Sequence, residues 1–198
     1  MRKVDLRWAV AVAVCVLSLG APATAGAVAS CPSQPLAQVF LPWGDPGRYG
    51  LVPDGGMESR DGAWRLGGAA VFAGPNEPFF VRSHGDLWSL SVPAGASGMS
   101  APTCIELGHP TLRFFLRNAG AAAARLQVSV EYVDLAGISR SQPIAVLGGS
   151  SAWAPTPILP ILVNLTSPLT AQNVRFRFTP SGGSWQIDDV YVDPYGKG

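Results

Sequence analysis

The sequence predicts an all-β fold, a jelly-roll β-sandwich of two antiparallel sheets. Three observations carry that expectation. Short apolar runs recur from Ala63 onward, separated by turn formers such as Ala136-Gly137, Gly148-Gly149-Ser150 and Ser181-Gly182-Gly183, which is the rhythm of a sandwich or barrel. Three runs alternate with a period of two: Leu112, Phe114 and Leu116; Leu126, Val128, Val130 and Tyr132; Val174, Phe176 and Phe178. Each set belongs on a core face. Finally, Trp185–Asp193 is rich in β-branched and aromatic residues and carries Asp188 and Asp189 at its middle. Neighbours on a strand face opposite ways, so one of these carboxylates is expected to face inward or toward a sheet edge. Such a group is costly unless paired or metal-bound.

Residues 1–29 read as a secretory signal peptide. Arg2, Lys3 and Arg7 precede an apolar core from Trp8 to Leu19, and Ala-x-Ala sites end at Ala25, Ala27 or Ala29. The apolar core is too short for a membrane-spanning helix, and no later run is long enough to span a bilayer. Residues 30–198 are expected to form a single secreted domain of ordinary size. Within it, 30–55 is an extended Pro/Gly-rich leading segment, with Leu41-Pro42-Trp43-Gly44-Asp45-Pro46-Gly47 and Pro53-Asp54-Gly55-Gly56 as turn formers. Losing Arg2, Lys3, Arg7 and Asp5 removes a net two positive charges, so the formal +1 of the whole chain becomes −1. A domain without a basic balance is not expected to bind nucleic acid.

Cys15 leaves with the signal peptide, and Cys31 and Cys104 remain. An even pair in an oxidising compartment is expected as one disulfide. Val28-Ala29-Ser30-Cys31 also has a lipobox-like form, and the alternative is a lipoprotein anchored at Cys31. The long spacer after the apolar core, the adjoining Pro32 and an unpaired Cys104 weigh against it.

Strands are expected at Ala63–Leu66, Ala69–Ala73, Phe79–Arg82, Leu87–Val92, Thr103–Leu107, Thr111–Asn118, Ala124–Asp134, Ile138–Val146, Ile158–Val163, Asn173–Thr179 and Trp185–Val192. A short one fits Gln38–Leu41. The helix-like run Ala119–Ala124 contains Gly120 and lies between strands, so it reads as a turn.

Gly56-Met57-Glu58 with Gly62-Ala63-Trp64, then Ser89-Leu90-Ser91-Val92, then Trp185–Val190 resemble, in that sequence and over about residues 50–193, three motifs of galactose-binding-like β-sandwich modules. That is the fold of many carbohydrate-binding modules. Leu41-Pro42-Trp43-Gly44-Asp45, Pro110–Phe115 and Ile187–Tyr195 are also similar to a group of exported proteins of high-GC bacteria, a likeness that implies no activity. The module resemblance implies a structural Ca²⁺ held by Glu58 and Asp188, with Asp189 as the alternative, together with backbone carbonyls. A calcium ion needs several oxygen ligands. Met57, where the family more often has Phe, and Asp54-Gly55-Gly56, where it has Asn-Gly-Asp, depart from the pattern. Turn capping, or pairing with Arg65 or Arg82, is the competing role for Glu58 and Asp188.

A glycan site needs aromatic platforms, because sugars present apolar C–H faces to the negative face of a ring. Trp64, Trp88 and Trp185 read as core, whereas Trp43 and Trp153 lie in Pro- and Gly-rich loops. Strand parity supplies a second set. Arg113, Phe115 and Arg117, Arg175 and Arg177, and Gln127, Ser129 and Glu131 fall opposite the core faces. If their strands adjoin, they form one Arg-rich face suited to an anionic envelope polymer; the competing reading is a solvated face with cross-strand ion pairs. Catalytic signatures are weak. His84 and His109 lack ligand spacing, no G-x-S-x-G elbow occurs, and nothing brings Glu106, Glu131 and Asp134 together as a glycosidase pair. The expectation is a non-catalytic secreted module binding cell-envelope or extracellular polysaccharide. The alternative is an envelope-associated structural or protein-interaction domain without a sugar site.

Overall fold

The structure is a computed structural model that describes residues 30–60, 62–106, 111–134, 136–163 and 171–193. The expected signal peptide, His109 and Tyr195 lie outside the described residues. Within them the chain is all-β, with two antiparallel sheets. The first contains β1 (Leu36–Ala37), β2 (Tyr49–Leu51), β4 (Val71–Ala73), β5 (Ser89–Val92), β8 (Thr111–Asn118), β11 (Ala154–Pro155), β12 (Leu159–Pro160) and β14 (Trp185–Asp193). The second contains β3 (Arg65–Gly67), β6 (Ser97–Met99), β7 (Thr103–Ile105), β9 (Arg125–Val133), β10 (Ser139–Leu147) and β13 (Gln172–Ser181). Each sheet is built on one central strand. β14 pairs with β8 on one flank, and β5 and β2 share the other. β13 pairs with β9 on one flank, and β6 and β7 share the other.

The alternating residues meet between the sheets. Leu112, Phe114 and Leu116 of β8 pack with Leu126, Val128 and Val130 of β9 and with Val174, Phe176 and Phe178 of β13. Phe114 meets Phe178 edge-on at 5.1 Å, and Trp64 stacks on Phe178 at 5.9 Å. Each fully buried side chain of this kind stabilises the fold by about 1.5–3 kcal/mol. Trp185 is also fully buried here, and Trp88 packs on the margin under the Arg60 guanidinium at 4.2 Å.

Three expectations are corrected. Phe79–Arg82 is a turn and not a strand, because the Glu77 carboxylate accepts the Phe79 and Val81 N–H groups that a ladder would have used. Gln38–Leu41 gives way to a single 3₁₀ turn, Leu41–Trp43, opened by Pro42 and closed by Gly44 at φ +77°. Lipid anchoring at Cys31 is overturned, since Cys31 and Cys104 form a disulfide that ties the leading segment to β7.

Candidate functional site

The Arg-rich face expected from strand parity is divided between the sheets. Arg113, Phe115 and Arg117 belong to β8 and the first sheet, whereas Arg175 and Arg177 belong to β13 and the second, beside Glu131 and Ser129 of β9. Parity places each residue correctly on an outer face; it carries no information about which sheet a strand joins.

On the first sheet the outer face is covered. Phe115 is fully buried under Phe40 and Trp43, with ring centroids 5.4 and 5.2 Å away, and Tyr49 and Tyr191 complete the cluster. Arg113 is 6% exposed and cannot contact a polymer. Its guanidinium donates to Asp45 Oδ2 at 2.7 Å and to the Thr156 carbonyl at 2.8 and 3.1 Å, and lies 4.1 Å over the Phe40 ring. Tyr49 donates to the same Asp45 oxygen at 2.7 Å. Burial, then this bond to Asp45, pushes the Tyr49 hydroxyl pKa well up. Arg113 and Phe115 are therefore anchors for the leading segment and not ligand contacts.

What remains open on this face is aromatic. Trp43 and Trp153 both pack on the Phe115 cluster, so the two loop tryptophans share one face. Trp43 meets Phe79 edge-on at 4.9 Å, and together they border an open cleft of about 450 Å³ with Gln38, Pro42 and Val81. Phe79 is 40% exposed. At the other end the Arg117 guanidinium lies 5.5 Å from the Trp153 ring and donates to Gln186 Oε1. Phe79 was missed as a site residue because its run looked like a strand. A carboxylate two residues before it was the available signal.

The two aspartates of β14 are both buried, at 0% and 1% exposure. Asp188 stands in register with Phe115 on the covered outer face, and Asp189 sits in a bulge. Between Asp188 and Tyr191 the register with β8 slips by one residue, and Asp189 adopts φ +49°. Trp185 and Ile187 face the core before the bulge, and Val190 and Val192 after it. Asp188 accepts the Glu77 and Asp189 N–H groups at 3.0 and 2.8 Å. Burial, then the Asp189 charge, pushes its pKa up to about 9. Neither carboxylate oxygen of Asp189 has a hydrogen-bond partner, and burial, opposed by Arg82, raises its pKa to about 8. Arg82 stands 4.0 Å from Asp189 and 3.7 Å from Asp86. Gly56 makes room for it; a Cβ there would collide with the guanidinium.

Glu58 accepts the Leu87 and Trp88 N–H groups, both at 2.8 Å, and so caps a turn. Among the described residues no group of three His, Cys, Asp or Glu is arranged to hold a metal. Of Glu58, Asp188 and Asp189, only Asp189 has both oxygens uncommitted, and the cation beside it is Arg82. The chemistry suits a cation at Asp189 alone.

The second sheet leaves its outer face open. Arg177 pairs with Glu131 at 2.7 Å, Arg175 donates to the Ser100 carbonyl at 2.8 Å, and Arg65 lies across β6 from Arg177 in register. Burial, then the charge of Arg65, lowers the Arg175 pKa. The carboxylates weighed for glycosidase chemistry are committed elsewhere: Asp134 to its own loop and Arg140, Glu131 to Arg177 and Ser141, and Glu106 to the Cys31 N–H.

The chain matches no protein-family profile and no curated protein sequence. It is similar in structure to the CBM22-1–GH10 modules of Clostridium thermocellum endo-1,4-β-D-xylanase 10B complexed with xylohexaose, at TM-score 0.48 and 16% identity, over 66% of this chain and 26% of that one. The CBM22-1 xylan-binding domain of Paenibacillus barcinonensis Xyn10C gives 0.46 and 13%, over 66% and 84%. TmCBM61 in complex with β-1,4-galactotriose gives 0.43 and 18%, over 72% and 96%. These likenesses concern the architecture of two antiparallel sheets and leave the ligand open.

Proposed function

We propose that this protein is a secreted, non-catalytic module that binds cell-envelope or extracellular polysaccharide through the aromatic cleft of the first sheet. The observation that carries the reading is the pair Trp43 and Phe79, held edge-on over buried Phe115 with Phe79 open to solvent. Rings fixed from beneath offer a sugar's C–H face a surface that loses little freedom on binding. Trp153, on the same cluster, offers a second stop for a longer chain.

Affinity electrophoresis against neutral polysaccharides tests it. Retardation by one of them that Trp43→Ala abolishes, with the melting temperature kept, supports the cleft. If no polysaccharide retards the chain, the module has no sugar site here. The apolar lining, in which Gln38 is the polar member, then favours a structural or protein-interaction role.

A structural Ca²⁺ belongs to the same reading only if it can compete with Arg82 for Asp189. Ligands that bind only the folded state raise its apparent stability. A rise in melting temperature on replacing EDTA with Ca²⁺, lost in Asp189→Ala, supports the ion; no shift leaves the charge of Asp189 to Arg82.

A further inference from the structure

The outer face of the second sheet carries more positive charge than the carboxylates among the described residues neutralise. Arg65, Arg175 and Arg177 stand close together on β3 and β13, and Glu131 is the one carboxylate among them. Glu131 is taken by Arg177 at 2.7 Å. Arg175 is anchored through a carbonyl, and Arg65 pairs with no carboxylate among the described residues. Arg175 stands in register with Glu131, which Arg177 takes, and the charge that shifts its titration is a like one, that of Arg65. Like charges side by side destabilise a sheet face. An anion between them removes that cost, and guanidinium forks match a planar carboxylate, as the Arg177–Glu131 pair on the same face demonstrates.

The surroundings narrow the anion further. The arginines border a groove of about 530 Å³ whose other walls include Met99, with its sulfur beside Arg177, Ser139 and Asn173. A bare phosphate needs no thioether, amide or hydroxyl neighbours, whereas a sugar presents C–H faces and hydroxyls to both kinds. We propose that this groove binds the carboxylate of a sugar acid within an acidic polysaccharide, with Arg65 and Arg175 supplying the two cations. The site lies on the opposite sheet from the aromatic cleft and stands without it, so the two readings fail separately.

The test is affinity electrophoresis of the mature chain in gels containing polygalacturonate, the neutral methyl ester of the same polymer, or polyphosphate. In the Trp43→Ala background, which takes the aromatic cleft out of play, retardation by the acid and not the ester is expected, weakening as salt rises. Arg65→Gln removes an exposed side chain that pairs with no carboxylate among the described residues, and a loss of about tenfold in affinity follows from one charge-assisted hydrogen bond. Arg175→Gln should act in the same direction. Equal retardation by the ester, stronger retardation by polyphosphate, no retardation at all, or retardation that survives both arginine variants overturns the proposal. So does retardation by the acid that Trp43→Ala abolishes.

Discussion

Arg113 on the first sheet and Arg175 on the second occupy equivalent places in sequence, each between core residues of an alternating strand. One is buried in a network with Asp45, Thr156 and Phe40, and the other looks onto an open groove. The difference comes from what lies above each sheet. The leading segment brings Phe40, Trp43, Asp45 and Tyr49 over the first, and the Glu77-held turn adds Phe79. Among the described residues no comparable segment covers the second. Alternation tells which side of a strand is away from the core; it does not tell whether that side is wet.

Several substitutions sharpen the contrast. Asp45→Ala leaves the Arg113 guanidinium buried without its counter-charge, and breaking a buried pair in this way costs about 3–5 kcal/mol. Urea denaturation should show that loss, and a loss under 1 kcal/mol would mean the covered face is wet after all. A second effect, as large or larger over several pH units, is expected from pH. Asp188 and Asp189 are raised from 3.8 to about 9 and about 8, so the folded chain holds more protons than the unfolded one between those values. Their contribution is fully present below about pH 4 and is lost as pH rises through 8 to 9, with a slope of up to about 1.4 kcal/mol per pH unit for each proton. Melting temperatures from pH 5 to 9 should fall, and Asp189→Asn should flatten the decline; a wild-type profile already flat would mean that Asp189 is ionised and fully compensated by Arg82. The smallest effect belongs to the open face. Glu131→Gln breaks a partly exposed ion pair with Arg177, worth about 0.2–1 kcal/mol, and a larger destabilisation in urea would show that this face is a structural surface like the other.

The sandwich was legible in the sequence because its core strands are long and strictly alternating. Thr111–Asn118 is a strand over its whole expected length, and the others of this kind differ only at their ends. Some short strands were also legible, such as Val71–Ala73, Ser89–Val92 and Thr103–Ile105, but others were not. Tyr49–Leu51 and Ser97–Met99 are three residues each, held by pairing with β14 and β13 and not by any periodicity of their own. The aromatic platforms were readable as loop tryptophans, since Trp43 and Trp153 lie among Pro and Gly. Their convergence on one aromatic cluster was not, because that cluster forms only when the leading segment folds back over the first sheet. The fates of Glu58 and Asp188 follow from the same limit: a carboxylate's partners here are backbone N–H groups at 87, 88, 77 and 189, which carry no residue-type signal.

In terms of sequence editing, the bulge makes Asp189 a one-residue insertion. Trp185 and Ile187 face inward before it, Val190 and Val192 after it, and the ladder to β8 slips only there. A chain shortened by that single residue would alternate without interruption from Trp185 to Asp193. It would keep every apolar side chain of the strand on its present face and shed one buried carboxyl group. Strand formation therefore does not call for Asp189, and a deletion variant that melts higher than its parent would mark the residue as one carried for a purpose other than folding.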